Sequence, residues 1–180
     1  MRKTLTALLG ASVLILAACG NDDTGAAHND ADVTFAQQMI PHHQQAIEMS
    51  ELAETRAASP EVKDLAADIK GAQDPEIETM TGWLESWGED LPGGSEHGGH
   101  DTSDTPGMMS EDEMAELEAA SGAAFDRMFL TMMIEHHEGA IDMAKTEQED
   151  GEYPDAIALA EEIEKTQSAE ITTMNELLGS

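Results

Sequence analysis

The strongest constraint on this fold is a duplication inside the chain. Residues 32–84 align with residues 126–178 at a constant shift of 94 positions, without a gap. Asp32, Phe35, Met39, Ile40, His42, His43, Ala46, Ile47 and Met49 fall on Asp126, Phe129, Met133, Ile134, His136, His137, Ala140, Ile141 and Met143. Farther along, Pro60, Leu65, Ala66, Ile69, Gln73, Glu76, Ile77, Thr79, Met80 and Leu84 fall on Pro154, Leu159, Ala160, Ile163, Gln167, Glu170, Ile171, Thr173, Met174 and Leu178. The 53 aligned pairs hold 19 identities, several times the chance level. A repeat of this length is one supersecondary unit that cannot bury its apolar face alone.

Each copy reads as two helices joined near its proline. Phe35, Met39, His42, Ala46, Met49 and Ala53 recur at helical spacing, and Ala36, Ile40, His43, Ile47 and Ser50 run beside them. The result is one broad apolar arc, with Gln37, Gln44, Glu48 and Glu51 on the opposite side. Pro41 interrupts the pattern in the first copy only, since its twin is Glu135. Inside a helix it removes an amide donor and crowds the preceding turn, so a bend is expected there. The second helix of copy one spans about 60–87, with Leu65, Ile69, Ile77, Met80 and Leu84 as its stripe and Pro75 as a further kink. Copy two repeats the plan, with Gly151 and Pro154 at its turn. Two such hairpins predict an all-α four-helix bundle with a pseudo-twofold axis.

The flanks set the domain boundaries. Residues 1–18 combine a basic start with a short apolar run and read as an export signal, outside the fold. Leu16-Ala17-Ala18-Cys19 resembles a bacterial lipobox, which implies cleavage before Cys19, lipidation of that cysteine and a membrane anchor on the extracytoplasmic face. Cys19 is the single cysteine of the chain, so no internal disulfide can form. Residues 19–31 read as a flexible tether, followed by the bundle domain at 32–180: repeat one at 32–87, a linker at 88–109, a short helix at 110–121 and repeat two at 122–180. The linker is rich in Gly, Ser, Asp and Pro, which predicts loose structure. Ser110 with Glu113 forms the pattern of a capping box. His97 and His100 in the linker, with His28 in the tether, are weak candidates for capturing cations. Thirty-eight acidic residues against eight basic ones exclude nucleic acid as a partner, because phosphates would be repelled. The same surface is compatible with collecting cations, or with solubility alone.

The chemistry concentrates on the histidine–methionine arc. Adjacent helix positions lie about 100° apart, so both imidazoles of a pair can face one broad interior. Met39 lies one turn before His42 and His43, and Met49 lies about two turns after His42. The duplication supplies Met133, His136, His137 and Met143. If the first helices of the two copies pack together, four imidazoles and four thioethers converge. Imidazole suits copper, zinc, iron and nickel, and thioether favours Cu(I). Zinc usually adds cysteine or carboxylate to histidine. A di-iron bundle needs Glu-x-x-His pairs, and the residues three before His42 and His136 are methionines. The mixture points to copper, with another divalent metal as the alternative. Methionines at this spacing also serve as ordinary core filler, Met80 and Met174 among them. Gln73 and Gln167 are candidates to orient an imidazole from behind. Glu48 and Asp142 are matched carboxylates on the polar face and rank low as ligands.

The segments "FAQQMIPHHQQAIEMSELA" and "FDRMFLTMMIEHHEGAIDMAK" resemble the hallmark of the domain of unknown function 305 family, close to M-I-x-H-H-x-x-A-I-x-M and present here twice. The resemblance covers about residues 32–178. It implies a ferritin-like fold, export, and a copper-binding role of the kind linked to copper resistance in some members. By position it carries a metal role onto His42, His43, His136, His137, Met39, Met49, Met133 and Met143. Three readings follow: a lipid-anchored copper buffer or carrier, a metal-dependent oxidoreductase using the same histidines, and an envelope protein that binds a partner without metal.

Overall fold

The computed structural model describes residues 27–93 and 105–179. The expected signal segment at 1–18, Cys19, His97 and His100 lie outside the described residues. Five helices follow one another: α1 (Asp30–Arg56), α2 (Pro60–Trp87), α3 (Glu111–Ala119), α4 (Ala123–Asp150) and α5 (Pro154–Leu178). The first and last pairs form the two expected hairpins of an all-α four-helix bundle, and α1 packs on α4 at its centre. The short α3 lies against both of these central helices.

Local chemistry explains the helix ends. Asn29 caps α1 in a capping box with Asp32, and Ser110 caps α3 in the box expected with Glu113. Ser59 caps α2, where Pro60 occupies the first turn and needs no amide donor there. Gly88 closes α2 in the left-handed conformation, which glycine adopts without a Cβ penalty. The bend expected at Pro41 does not divide the element, because α1 continues as one helix through that position.

The first identity of the duplication turns out to be a brace between the halves. Asp32 Oδ1 accepts from the Tyr153 and Glu152 amides at 2.9 and 3.2 Å, just before α5. Its twin, Asp126, accepts from the Ala58 and Ser59 amides at 2.9 and 3.0 Å, just before α2. Each copy therefore satisfies the turn of the other.

Two boundaries differ from the sequence expectation. The tether ends earlier than residue 31, since Asn29 already caps α1 and donates from its side chain to the Asp150 carbonyl. His28 stacks on Trp87 with ring centroids 4.3 Å apart. The linker is not loose throughout, because residues 105–109 are docked on α1 and α4 and Met109 is buried. Composition registers only the glycines and polar residues of this stretch. The docking depends on partners 64 positions away in α1.

The core divides into two apolar clusters. One contains Met49, Ile69, Leu117, Phe125, Phe129, Met133 and Met174. The other contains Phe35, Met39, Met80, Leu84, Met143 and Ile163. The His-His pairs mark the boundary between the two clusters along both α1 and α4.

Candidate metal centre

All four imidazoles are fully buried. Their neighbouring helix positions send the two members of each pair in different directions. His42 and His136 meet between α1 and α4, with ring centroids 3.7 Å apart and planes tilted by 36°. His43 and His137 instead face the second helix of their own hairpin. His43 Nε2–H donates to Glu76 Oε2 of α2 at 2.6 Å, and His137 Nε2–H donates to Glu170 Oε2 of α5 at 2.7 Å. The carboxylates are mostly covered, with side chains 17% and 20% exposed.

The remaining ring nitrogens are unusual for a core. Nδ1 of His42, His43, His136 and His137, and also Nε2 of His136, have no hydrogen-bond partner. Buried polar atoms in folded proteins are nearly always paired, so five orphaned nitrogens in one layer require an account. Burial, followed by the neighbouring His43 imidazole, pushes His42 down to about 3. Burial, followed by His42, holds His136 well below the usual histidine value. Both rings are therefore neutral at physiological pH and keep the lone pair that a metal ligand needs.

The thioethers flank this layer on two sides. Met39 and Met143 share one cluster with Met80, while Met49 and Met133 share the other with Met174. The four candidate methionines thus do not gather at one point as the sequence suggested. Each cluster takes one candidate from each half of the chain, because α1 and α4 place Met39 level with Met143 and Met49 level with Met133. Among the described residues, no three His, Cys, Asp or Glu side chains come together as a metal cage. A site with three or more protein ligands in this arrangement therefore needs a donor outside those four residue types.

The supporting residues also differ from the sequence reading. Gln73 and Gln167 are buried, but their Oε1 atoms bond to nothing. Glu76 and Glu170, one helical turn farther on, hold the imidazoles instead. A signal was present, since both belong to the identities of the duplication. Solvent exposure is the default for a glutamate, and the pairing is visible only when α2 lies on α1. Glu48 and Asp142 are exposed, as their polar face implied.

The surroundings of the layer are not symmetric. The segment 105–109 crosses one side of it. His42 Nε2–H donates to the Pro106 carbonyl at 3.1 Å. The Gln45 side chain donates to the Met109 carbonyl at 2.8 Å and accepts from the Met109 amide at 2.7 Å. The segment lies so close to α4 that a Cβ on Gly139 would collide with the Pro106 carbonyl oxygen. Gly107, at φ +75°, fits against the Glu135 and His136 carbonyls in the same way. Gln45 and Gly139 are counterparts in the duplication. Beside this strap lies a cavity of about 180 Å³ whose lining includes Phe35, Gln38, Pro106, Met143 and Glu147.

Glu147 has no acidic counterpart in the first copy, where Ala53 stands. It is buried, and neither carboxylate oxygen finds a well-directed partner. Burial first, and then the adjacent Asp32, push its carboxyl up to about 8. Burial also works to raise Asp32, but Glu147 and the amides of Asn29, Tyr153 and Glu152 outweigh it and hold Asp32 below its usual value.

Known proteins share this helical fold. The profile of the family described as domain of unknown function (DUF305) matches residues 32–178. A DUF305 protein from Streptomyces coelicolor is 36% identical, with 83% of this chain and 92% of that chain covered and a TM-score of 0.74. A DUF305 fragment from Deinococcus radiodurans is 32% identical, with 84% and 97% covered and a TM-score of 0.74. CopM in its Cu(II)-bound form is 36% identical, with 82% and 95% covered and a TM-score of 0.69. CopM has also been solved with Cu(I) and with silver. No curated protein matches the chain.

Proposed function

The chain belongs to the domain of unknown function 305 family, and from that premise we propose that it binds copper, as a buffer or carrier. The observation that carries this reading is the buried layer of four imidazoles with five unpartnered ring nitrogens, bordered on both sides by methionine clusters. Such nitrogens are poor core material and good metal ligands. His42, His43, His136 and His137 would supply imidazole, and Met39, Met49, Met133 and Met143 would supply thioether. That donor set suits Cu(I) better than zinc or di-iron chemistry. The Cu(I), Cu(II) and silver forms of CopM support the same choice, because silver and Cu(I) are both soft cations that thioethers accept.

The acidic exterior raises the local concentration of the cation. In this reading the chain works at the outer face of the membrane, tethered through a lipid on Cys19. The test is calorimetric titration of the soluble protein beginning after Cys19 with Cu(I), Cu(II) and Zn(II). Binding of Cu(I) tighter than about micromolar is expected, and it should be lost when all four histidines become alanine while the helical signal remains. Absence of such binding in the native protein sinks the reading. Metabolic labelling with a palmitate analogue, compared between the native chain and Cys19→Ala, tests the anchor.

A further inference from the structure

Two carboxylates touch the imidazole layer at matched positions, and elementary hydrogen-bond chemistry makes them informative. An ionised carboxylate can only accept. Glu76 Oε2 lies 2.6 Å from His43 Nε2, and Glu170 Oε2 lies 2.7 Å from His137 Nε2. The proton must therefore reside on Nε2 in both rings. In a neutral imidazole this leaves the lone pair on Nδ1, and both Nδ1 atoms are buried without a partner. We infer that Glu76 and Glu170 are positioning residues that fix His43 and His137 as Nε2–H tautomers, so that each presents Nδ1 and not Nε2 to a metal.

The Pro106 carbonyl does the same for His42, because a carbonyl likewise accepts only. His136 is the exception, since neither of its ring nitrogens has a well-directed partner that would fix a tautomer. A carboxylate behind a ligating imidazole also makes the ring a stronger donor and restrains its rotation. The two halves obtain this from the same pair of residues, each joining the two helices of one hairpin. Glu76 and Glu170 are themselves identities of the duplication, so the same residue type occupies this position in both hairpins.

The tautomer assignment deepens the copper reading and rests on it for the identity of the metal. The test uses the double variants E76Q/E170Q and E76L/E170L of the protein beginning after Cys19. Glutamine keeps an acceptor oxygen, whereas leucine keeps the bulk and removes it. Nitrogen-resolved NMR of the metal-free proteins reads the tautomers, Cu(I) competition reads the affinity, and circular dichroism checks the helices. His43 and His137 should be Nε2–H in the native protein and in the glutamine variant, and mixed in the leucine variant. Cu(I) affinity should fall by about 10–100-fold in the leucine variant and by less in the glutamine variant. Nδ1–H rings in the native protein would overturn the inference. So would a helical leucine variant with unchanged affinity. A native protein that binds no Cu(I) sinks the copper reading alone, and the tautomers of the metal-free protein then decide this inference by themselves.

Discussion

The two halves of the molecule agree at their helices and diverge where something crosses between them. Both carry the His-His pair, the glutamate behind it and the aspartate that braces the opposite turn. They part at positions 45 and 139, where one copy has a glutamine that grips Met109 and the other a glycine that leaves room for Pro106. They part again at 53 and 147, where alanine faces a buried glutamic acid. A tandem duplication starts with two equal faces, but a single linker can cover only one of them. The strap 105–109 crosses one face of the α1–α4 pair, where its Pro106 carbonyl accepts from His42 Nε2–H and Gly107 packs on the His136 backbone, while the His136 ring nitrogens have no partner in the strap. A symmetric pair of sequence motifs therefore need not produce a symmetric site.

The largest effect expected from challenging this comparison is on metal binding. Exchanging His42 and His43 for alanine, or His136 and His137, should each lower Cu(I) affinity by more than the ~10–100-fold contributed by outer contacts. Similar losses from both variants in a competition titration would show a shared site. A loss confined to one pair would divide it into separate half-sites.

Next come the two braces. Asp32→Ala strips a buried carboxylate from part-buried amides just before α5 and removes the partner of the Asn29 amide, so a loss of about 3 kcal/mol in urea unfolding is expected. Asp126→Ala acts at a half-exposed turn and should cost about 1 kcal/mol. Equal costs would show that burial does not distinguish the braces.

The strap follows in size. Gly139→Ala places a methyl group where the Pro106 carbonyl already lies, so the strap has to lift. The overpacking costs about 1–3 kcal/mol, offset in part by the ~1 kcal/mol gained in helix propensity. Gln45→Ala removes both contacts to Met109 and should cost about 1–2 kcal/mol. Both should accelerate hydrogen exchange at the Met109 amide, whereas protection equal to native would mean that the strap is held elsewhere.

The last comparison is a pH slope. Glu147 holds its proton in the fold up to about 8 and in the unfolded chain only to its ordinary value of 4.5. Its contribution is therefore complete below pH 4.5 and is lost as pH rises through about 8. His42 acts in the opposite sense. The unfolded chain takes up that proton near 6.5 and the fold only near 3, so stability falls as pH drops across this window. Urea midpoints across pH 4.5–8 should show a declining alkaline limb in the native protein and none in Glu147→Gln. A persistent limb would assign it to another group.

Much of this architecture is legible in the residues themselves. The gapless repeat implies the two hairpins and the helix limits near 60–87, and local spacing alone marks the capping box at Ser110. The repeat also singles out the imidazoles, because chance does not place two His-His pairs at equal positions. Gln73 and Gln167 stand out for the same reason, yet the contact to His43 and His137 falls to glutamates three residues later. On a helix of 3.6 residues per turn, residues three apart share one side, and sequence alone does not rank them. The methionines are identifiable as a set, but their division between two clusters depends on which ends of α1 and α4 meet.

By itself, the sequence determined the unit, its copy number and its interior chemistry, since helical periodicity and duplication are one-dimensional facts. The tertiary structure alone decided which nitrogen of His42, His43 and His137 is bonded, which glutamates bond to His43 and His137, and which face of the α1–α4 pair the strap crosses. Those outcomes depend on contacts 33 to 64 positions apart in the chain. Such contacts are fixed by the packing of one helix on another, and no local pattern of residues encodes them.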